Sequence, residues 1–159
     1  MSHFIEAEDA EQRPLAQLEF SGDTVDSLAC TGMDIYRVYD AEEQNAGVSG
    51  AGDFVTVDAR TAGSALVSAL AWASALHHCF PERFGTSRTA FTRNEDYDGV
   101  PSAELSRLTR ALVDDFKARG LTSSDSDVAT SVDRCEDIVA FAHAVFAASR
   151  DADAAIFFG

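Results

Sequence analysis

Lysine is almost absent from this chain of 159 residues: Lys117 is the only lysine, beside 11 arginines. Acidic residues are in large excess, with 27 aspartates and glutamates against 12 basic residues and a formal net charge of −15. The densest basic stretch, Arg83, Arg88 and Arg93, is followed directly by acidic residues, so no basic cluster is present that could follow a phosphate backbone. The sequence therefore gives no positive support for nucleic-acid binding.

The excess of acid is typical of proteins from organisms that keep molar salt in the cytoplasm. There the Debye length falls to about 3 Å and repulsion between surface charges is screened. In dilute buffer the same charge would destabilise the folded chain by self-repulsion. A genome rich in G and C would explain the scarcity of lysine, but it would not explain a pI near 4.4. We therefore interpret the composition as haloarchaeal-type, an adaptation to high salt.

Cysteine and long apolar runs are also scarce. Cys30, Cys79 and Cys135 are far apart and form no CxxC motif, so no disulfide framework is predicted and a reducing cytosol fits. The most apolar run, residues 63–76, contains three serines and is shorter than the roughly 20 residues that cross a bilayer. The first residues are acidic, where a signal peptide is basic and then apolar. We expect a cytoplasmic protein without a membrane partner.

Length and composition favour one folded domain, since 46% of the residues are hydrophobic. Residues 1–13 are polar and acidic, and we expect them to form a flexible N-terminal tail before an α+β domain over residues 14–159. Alternating and β-branched residues predict strands at 33–39 and 53–58, paired antiparallel across a long glycine-rich connection. Further short strands are predicted at 86–92 and 154–158.

Three helices are predicted from periodicity and end signals. The central helix runs from Thr61, its expected N-cap, to the residue before Pro81, and apolar residues on several of its faces predict that it is covered on several sides. The second has Pro101 in its first turn and Gly120 as its terminator. We therefore predict an α+β fold in which a small, antiparallel sheet is covered by about three helices.

The third helix is predicted to start near Asp133, where Glu136 three residues later offers a capping pair. It extends to about Ser149. The preceding stretch, residues 122–131, is rich in serine, threonine and aspartate and is predicted to be a loop.

His77, His78 and Cys79, at the end of the central helix, are the first candidates for a metal site, because imidazole and thiolate are good zinc ligands. Neighbours on a helix point about 100° apart, so the three converge on one ion only if the helix has already ended. The alternative is a pair of structural histidines at a helix C-terminus, where positive charge is favourable. Cys135 and His143 are two helical turns apart, roughly 12 Å, and reach these residues only through tertiary packing.

Two further patterns have ordinary explanations. The glycine-rich stretch 45–52 precedes a predicted strand, the reverse of the strand, glycine, helix order of phosphate-binding loops, and is interpreted as a connector. Carboxylates could hold Mg²⁺ or act as acid and base, but about one residue in six is acidic here, so we interpret them as solvated. These carboxylates are Asp53, Asp58, Glu95, Asp96 and Asp98.

No motif identifies a reaction, a family or a cofactor. The sequence favours a non-catalytic binding or oligomer-forming accessory protein, with a second copy or another protein as its partner. Small residues on the central helix and the terminal aromatics suit association, although packing within one chain explains them equally well. These are Gly63, Ser64, Ser68, Ala75, Phe157 and Phe158. Two alternatives stay open: a small enzyme or metal-binding protein that uses His77, His78 and Cys79, and a nucleic-acid-associated regulator.

Overall fold

The computed structural model describes residues 2–21, 53–84, 102–152 and 154–158. In chain order, the strands and helices in these ranges are β1 Ser2–Glu8, β2 Pro14–Ser21, β3 Asp53–Val57, α1 Ala59–Cys79, α2 Ser102–Ala118, α3 Ser126–Ser149 and β4 Ala154–Phe158. A short 3-10 helix, Pro81–Arg83, follows α1. The fold is α+β, as predicted. Within the same ranges, none of the helices combines the length and apolar character needed to cross a bilayer.

The strands form one antiparallel sheet in the order β2-β1-β4-β3. The predictions of strands at 53–58 and 154–158 are confirmed by β3 and β4. β4 is an inner strand and pairs with β1, which places Ile5 opposite Phe158. The predicted strands at 33–39 and 86–92 lie outside the described residues.

The N-terminal segment differs from the flexible tail that we expected over residues 1–13. Ser2–Glu8 forms β1, an inner strand bonded to β2 and β4, and Ala7 is fully buried. The turn that follows is held by the Asp9 carboxylate, which accepts the backbone N–H groups of Glu11 and Arg13 at 2.9 Å. The polar composition of these residues does not predict a strand. The strand forms because it is hydrogen-bonded to other strands, one of them at the far end of the chain.

The central helix is confirmed, with a different start. The carbonyl of Asp58 accepts the N–H of Ala62 at 2.9 Å, so Asp58 and not Thr61 precedes the helix. The other end is as predicted: α1 stops at Cys79, two residues before Pro81. Its large apolar side chains are almost completely buried: Leu66, Leu70, Trp72 and Leu76. α1 lies between α2 and α3, and α3 also contacts β1, β2 and β4.

The end of α2 follows the prediction closely. Gly120 has a φ of 67°, a conformation that glycine adopts without strain. Its N–H donates to the Lys117 carbonyl at 3.1 Å, and the Leu121 N–H donates to the Phe116 carbonyl at 3.2 Å. This pair of bonds is a Schellman motif, which satisfies the last carbonyls of the helix.

The third helix is longer than predicted. α3 begins at Ser126, seven residues before Asp133, so residues 126–131 are helical and not loop. The carboxylate of Asp125 accepts the Thr122 N–H at 2.7 Å and shapes the turn before the helix. Val128 and Ser131 in the added turns are fully buried, so packing against the rest of the fold extends the helix beyond its local signals.

A cleft between α1 and α2

A cleft with a volume of about 530 Å³ separates the second half of α1 from α2. The described residues that line it come from one face of each helix, since they recur at spacings of three, four and five. From α1 these are Ser74, His77 and His78; from α2 they are Leu105, Ser106, Thr109, Arg110 and Val113.

The two helices run in the same direction beside this cleft. The first turn of α2 shares a groove with the first turns of α1, where Glu104 lies near Arg60 and Gly63. At the other end, the rings of Phe80 and Phe116 stack with their centroids 6.5 Å apart. The helices are therefore in apolar contact at their C-terminal ends, and the cleft opens before that contact.

The charge of the lining is unusual for this protein. The described lining residues include one guanidinium and two imidazoles and no carboxylate, although the chain has a net charge of −15. Within the described part of the chain, no carboxylate lies within ion-pair distance of Arg110. Asp114, one turn beyond Arg110, lines a neighbouring groove. The cleft is thus a local concentration of hydrogen-bond donors on an acidic protein.

Arg107, one turn before Arg110 on the same helix, is a useful contrast. Its guanidinium contacts the Glu104 carboxylate at 2.6 Å. A hydrogen bond from Arg107 lowers the pKa of the Glu104 carboxyl, and the same pair raises the pKa of Arg107. Arg107 is thus already neutralised by its partner, whereas Arg110 has no such partner among the described residues.

The hydroxyl groups and His77 complete the polar lining. Thr109 Oγ1 donates to the Leu105 carbonyl at 2.7 Å, so this oxygen remains an acceptor towards the cleft. The hydroxyls of Ser74 and Ser106 form no hydrogen bond with other described residues. The half-buried His77 ring packs against Phe84 with centroids 5.1 Å apart, which restricts its orientation, whereas His78 is exposed.

The three residues predicted as a metal set are only partly brought together. His77 and His78 line the cleft, while Cys79 lies with His78 on a second cavity of about 240 Å³ beside Phe116 and Lys117. The helix continues through Cys79, so the geometric condition for convergence is not met. Among the residues that the structure describes, no group of three His, Cys, Asp or Glu side chains is placed to hold a metal ion. Burial raises the pKa of the Cys79 thiol, which keeps it protonated near neutral pH.

Cys135 and His143 do not join the cleft. Cys135 is 1% exposed, its thiol donates to the Val132 carbonyl at 3.3 Å, and burial raises its pKa to about 12. His143 is exposed on the same helix. One side chain faces the core and the other faces solvent, so they form no common site.

The carboxylates, the glycine-rich stretch and the small and aromatic residues singled out from the sequence form no second site within the described ranges. Asp58 is exposed at the start of α1. The stretch 45–52 and the acidic residues Glu95, Asp96 and Asp98 lie outside the described residues. Of the small residues on α1, Gly63 serves packing within the chain, because a Cβ there would lie 3.2 Å from the Phe146 ring of α3. Phe157 and Phe158 belong to the inner strand β4.

The sequence did not reveal the α2 half of the cleft. Arg110 falls on the polar face of an amphipathic helix, where a solvated arginine is the ordinary interpretation. Ser74, His77 and His78 share a helix face by their spacing, but that pattern does not indicate what lies opposite. Comparisons with protein-family models, with curated proteins and with solved structures gave no match.

Proposed function

We propose that this protein is a non-catalytic binding protein and that the cleft between α1 and α2 is its ligand site. The observation that carries the proposal is the cleft lining: its described residues include a guanidinium, which has no ion-pair partner in the described part of the chain, and two imidazoles, but no carboxylate. Ligand sites typically have volumes of roughly 300–1,000 Å³ and a few polar groups on an otherwise apolar wall. The volume of the cleft, about 530 Å³, falls in this range, and six of its eight described lining residues carry polar side chains.

A binding role fits this lining better than catalysis. Nucleophilic catalysis needs an activated nucleophile beside a base that a third group orients. The thiol of Cys79, the residue after His78, lies on the other cavity, and its raised pKa favours the unreactive protonated form. The described lining offers hydrogen-bond donors and acceptors, which suffice to recognise a ligand.

The proposed setting is a cytoplasm rich in salt, supported by the net charge of −15. Thermal unfolding should be compared in about 0.1 M and about 2 M KCl, where the Debye length falls from about 10 Å to under 3 Å. We expect a higher melting temperature in the concentrated salt, because screening relieves the repulsion between carboxylates. A melting temperature that is equal or higher in dilute salt would refute the adaptation to high salt.

Occupation of the cleft can be tested by NMR with a library of small fragments, in KCl at which the chain is folded. We expect bound fragments to shift the backbone amides of Ser106, Thr109 and Arg110. Ser106→Trp should fill the cleft and abolish these shifts. Ser126→Trp, the same change at an exposed serine outside it, should leave them intact. Fragments that bind elsewhere, or that bind equally to both variants, would contradict the proposed site.

A further inference from the structure

The donors of the cleft point to one class of ligand. The Arg110 guanidinium presents N–H groups in a planar fork that matches the two oxygens of a carboxylate or a phosphate. Each imidazole of His77 and His78 has an N–H donor in either protonation state. Ser74 and Ser106 add hydroxyl donors on the two helices. All of these groups can donate hydrogen bonds to a ligand rich in acceptor atoms. No carboxylate among the described lining residues would repel such a ligand.

The volume of the cleft sets the size of this ligand. An inorganic ion would fill only a small part of about 530 Å³. The cleft therefore suits a larger, organic molecule that carries an acceptor group.

We infer that the cleft binds a small organic oxyanion, a molecule that carries a phosphate or carboxylate group on an organic body; this rests on the proposed function of the cleft. The net charge of −15 opposes the approach of an anion in dilute buffer. In concentrated salt the long-range repulsion is screened, while a hydrogen bond in direct contact spans only about the Debye length of about 3 Å and is screened less. An anion site on this protein is consistent with the salty setting proposed above.

Three probes of similar shape test the inference by NMR titration: phenyl phosphate, benzoate and the neutral benzyl alcohol. We expect one of the two anions to bind at the cleft amides at least about tenfold more tightly than benzyl alcohol, because a hydrogen bond to a charged group is stronger than one between neutral groups. The stronger anion identifies the acceptor group as phosphate or carboxylate. Arg110→Gln should remove most of this preference without changing the affinity for benzyl alcohol.

Arg107→Gln is the matched control, since it removes an arginine of the same helix that is paired with Glu104 and does not line the cleft. We expect it to change anion affinity by less than about twofold. Spectra of both variants establish that they are folded. If benzyl alcohol binds at the cleft as tightly as the anions, or if Arg110→Gln retains the preference, the oxyanion inference is overturned while the proposed binding site stands. If no probe shifts the cleft amides, both are overturned.

Discussion

The buried core around α1 and the cleft beside it use the same helix in opposite ways. Towards α3, α1 has Gly63, where a Cβ would lie only 3.2 Å from the Phe146 ring, so the two helices approach closely. Towards α2, the second half of α1 presents Ser74, His77 and His78 to open space. The side of α1 that faces α3 is closely packed and stabilises the fold. The side that faces α2 is incompletely filled and leaves room for a ligand.

The strongest test of the core is Trp72, which is fully buried near the middle of α1. Trp72→Ala removes the largest side chain of the core, and we expect a loss of about 3–5 kcal/mol in the free energy of unfolding. This is a large part of the roughly 5–15 kcal/mol that stabilises a domain. Denaturant unfolding in concentrated KCl measures it. The native tryptophan fluorescence should also be blue-shifted and protected from iodide.

Trp72→Phe is the control for this experiment. The indole Nε1 has no hydrogen-bond partner among the described residues, so replacing it by an apolar ring loses packing but no hydrogen bond. We expect a clearly smaller loss than for alanine. A red-shifted native emission that iodide quenches readily would instead place Trp72 in water and would refute the description of α1 as the covered centre.

The second test adds a leucine side chain at the α1–α3 contact and in the cleft, and compares the loss of stability at the two places. Gly63→Leu forces a large side chain against Phe146, and we expect it to destabilise the fold by about 1–3 kcal/mol. Ser64→Leu, at the next and exposed position of the helix, and Ser106→Leu, in the cleft, should each change stability by less than about 0.5 kcal/mol. Equal losses at Gly63 and Ser106 would show that the cleft is as closely packed as the α1–α3 contact.

The smallest expected effect concerns the buried thiol of Cys135. Burial raises its pKa from the usual 9.0 to about 12, so the folded state keeps a proton that the unfolded state loses above pH 9. Stability from this group is fully present below pH 9 and declines as the pH rises towards 12. At pH 10 in the presence of a reductant, we expect it to lower the free energy of unfolding by about 1 kcal/mol relative to pH 7.5.

Cys135→Ala separates this effect from the other groups that titrate in alkali. The decline between pH 7.5 and pH 10 should be shallower in this variant than in the parent chain, whatever stability the alanine itself costs. Cys79→Ala should change the decline less, because the Cys79 side chain is only partly buried at the end of α1. Identical pH profiles for Cys135→Ala and the parent chain would show that the thiol is not desolvated.

The helices of this protein were largely predictable from local patterns. The apolar period of α1 and its stop before Pro81 are visible in the chain, and Gly120 predicts the end of α2, where its φ is 67°. The start of α3 was not predictable in this way. Its first turns are rich in serine and aspartate, and their helical state depends on the burial of Val128 and Ser131 against the rest of the fold.

The strand β1 and the cleft show where local reasoning stops. The polar, acidic composition of residues 1–13 predicts a tail. The strand β1 is not visible in the sequence, because it is ordered by pairing with β2 and with β4 at the far end of the chain. Two of the cleft residues, His77 and His78, were candidates from the sequence as metal ligands beside Cys79. In the structure they share the lining of the cleft with Ser106, Thr109 and Arg110 of α2, a helix about 30 residues further along the chain.

The α+β class, the periodic faces of α1 and α2 and the acidic composition could be predicted from the chain, because they depend on neighbouring residues or on residue counts. Two features are seen only in the folded molecule: residues 2–8 form an inner strand, and Arg110 lines the same cleft as the two histidines. Both outcomes depend on how distant elements are placed against each other. That placement is set by the packing of the whole core and not by the residues that it brings together.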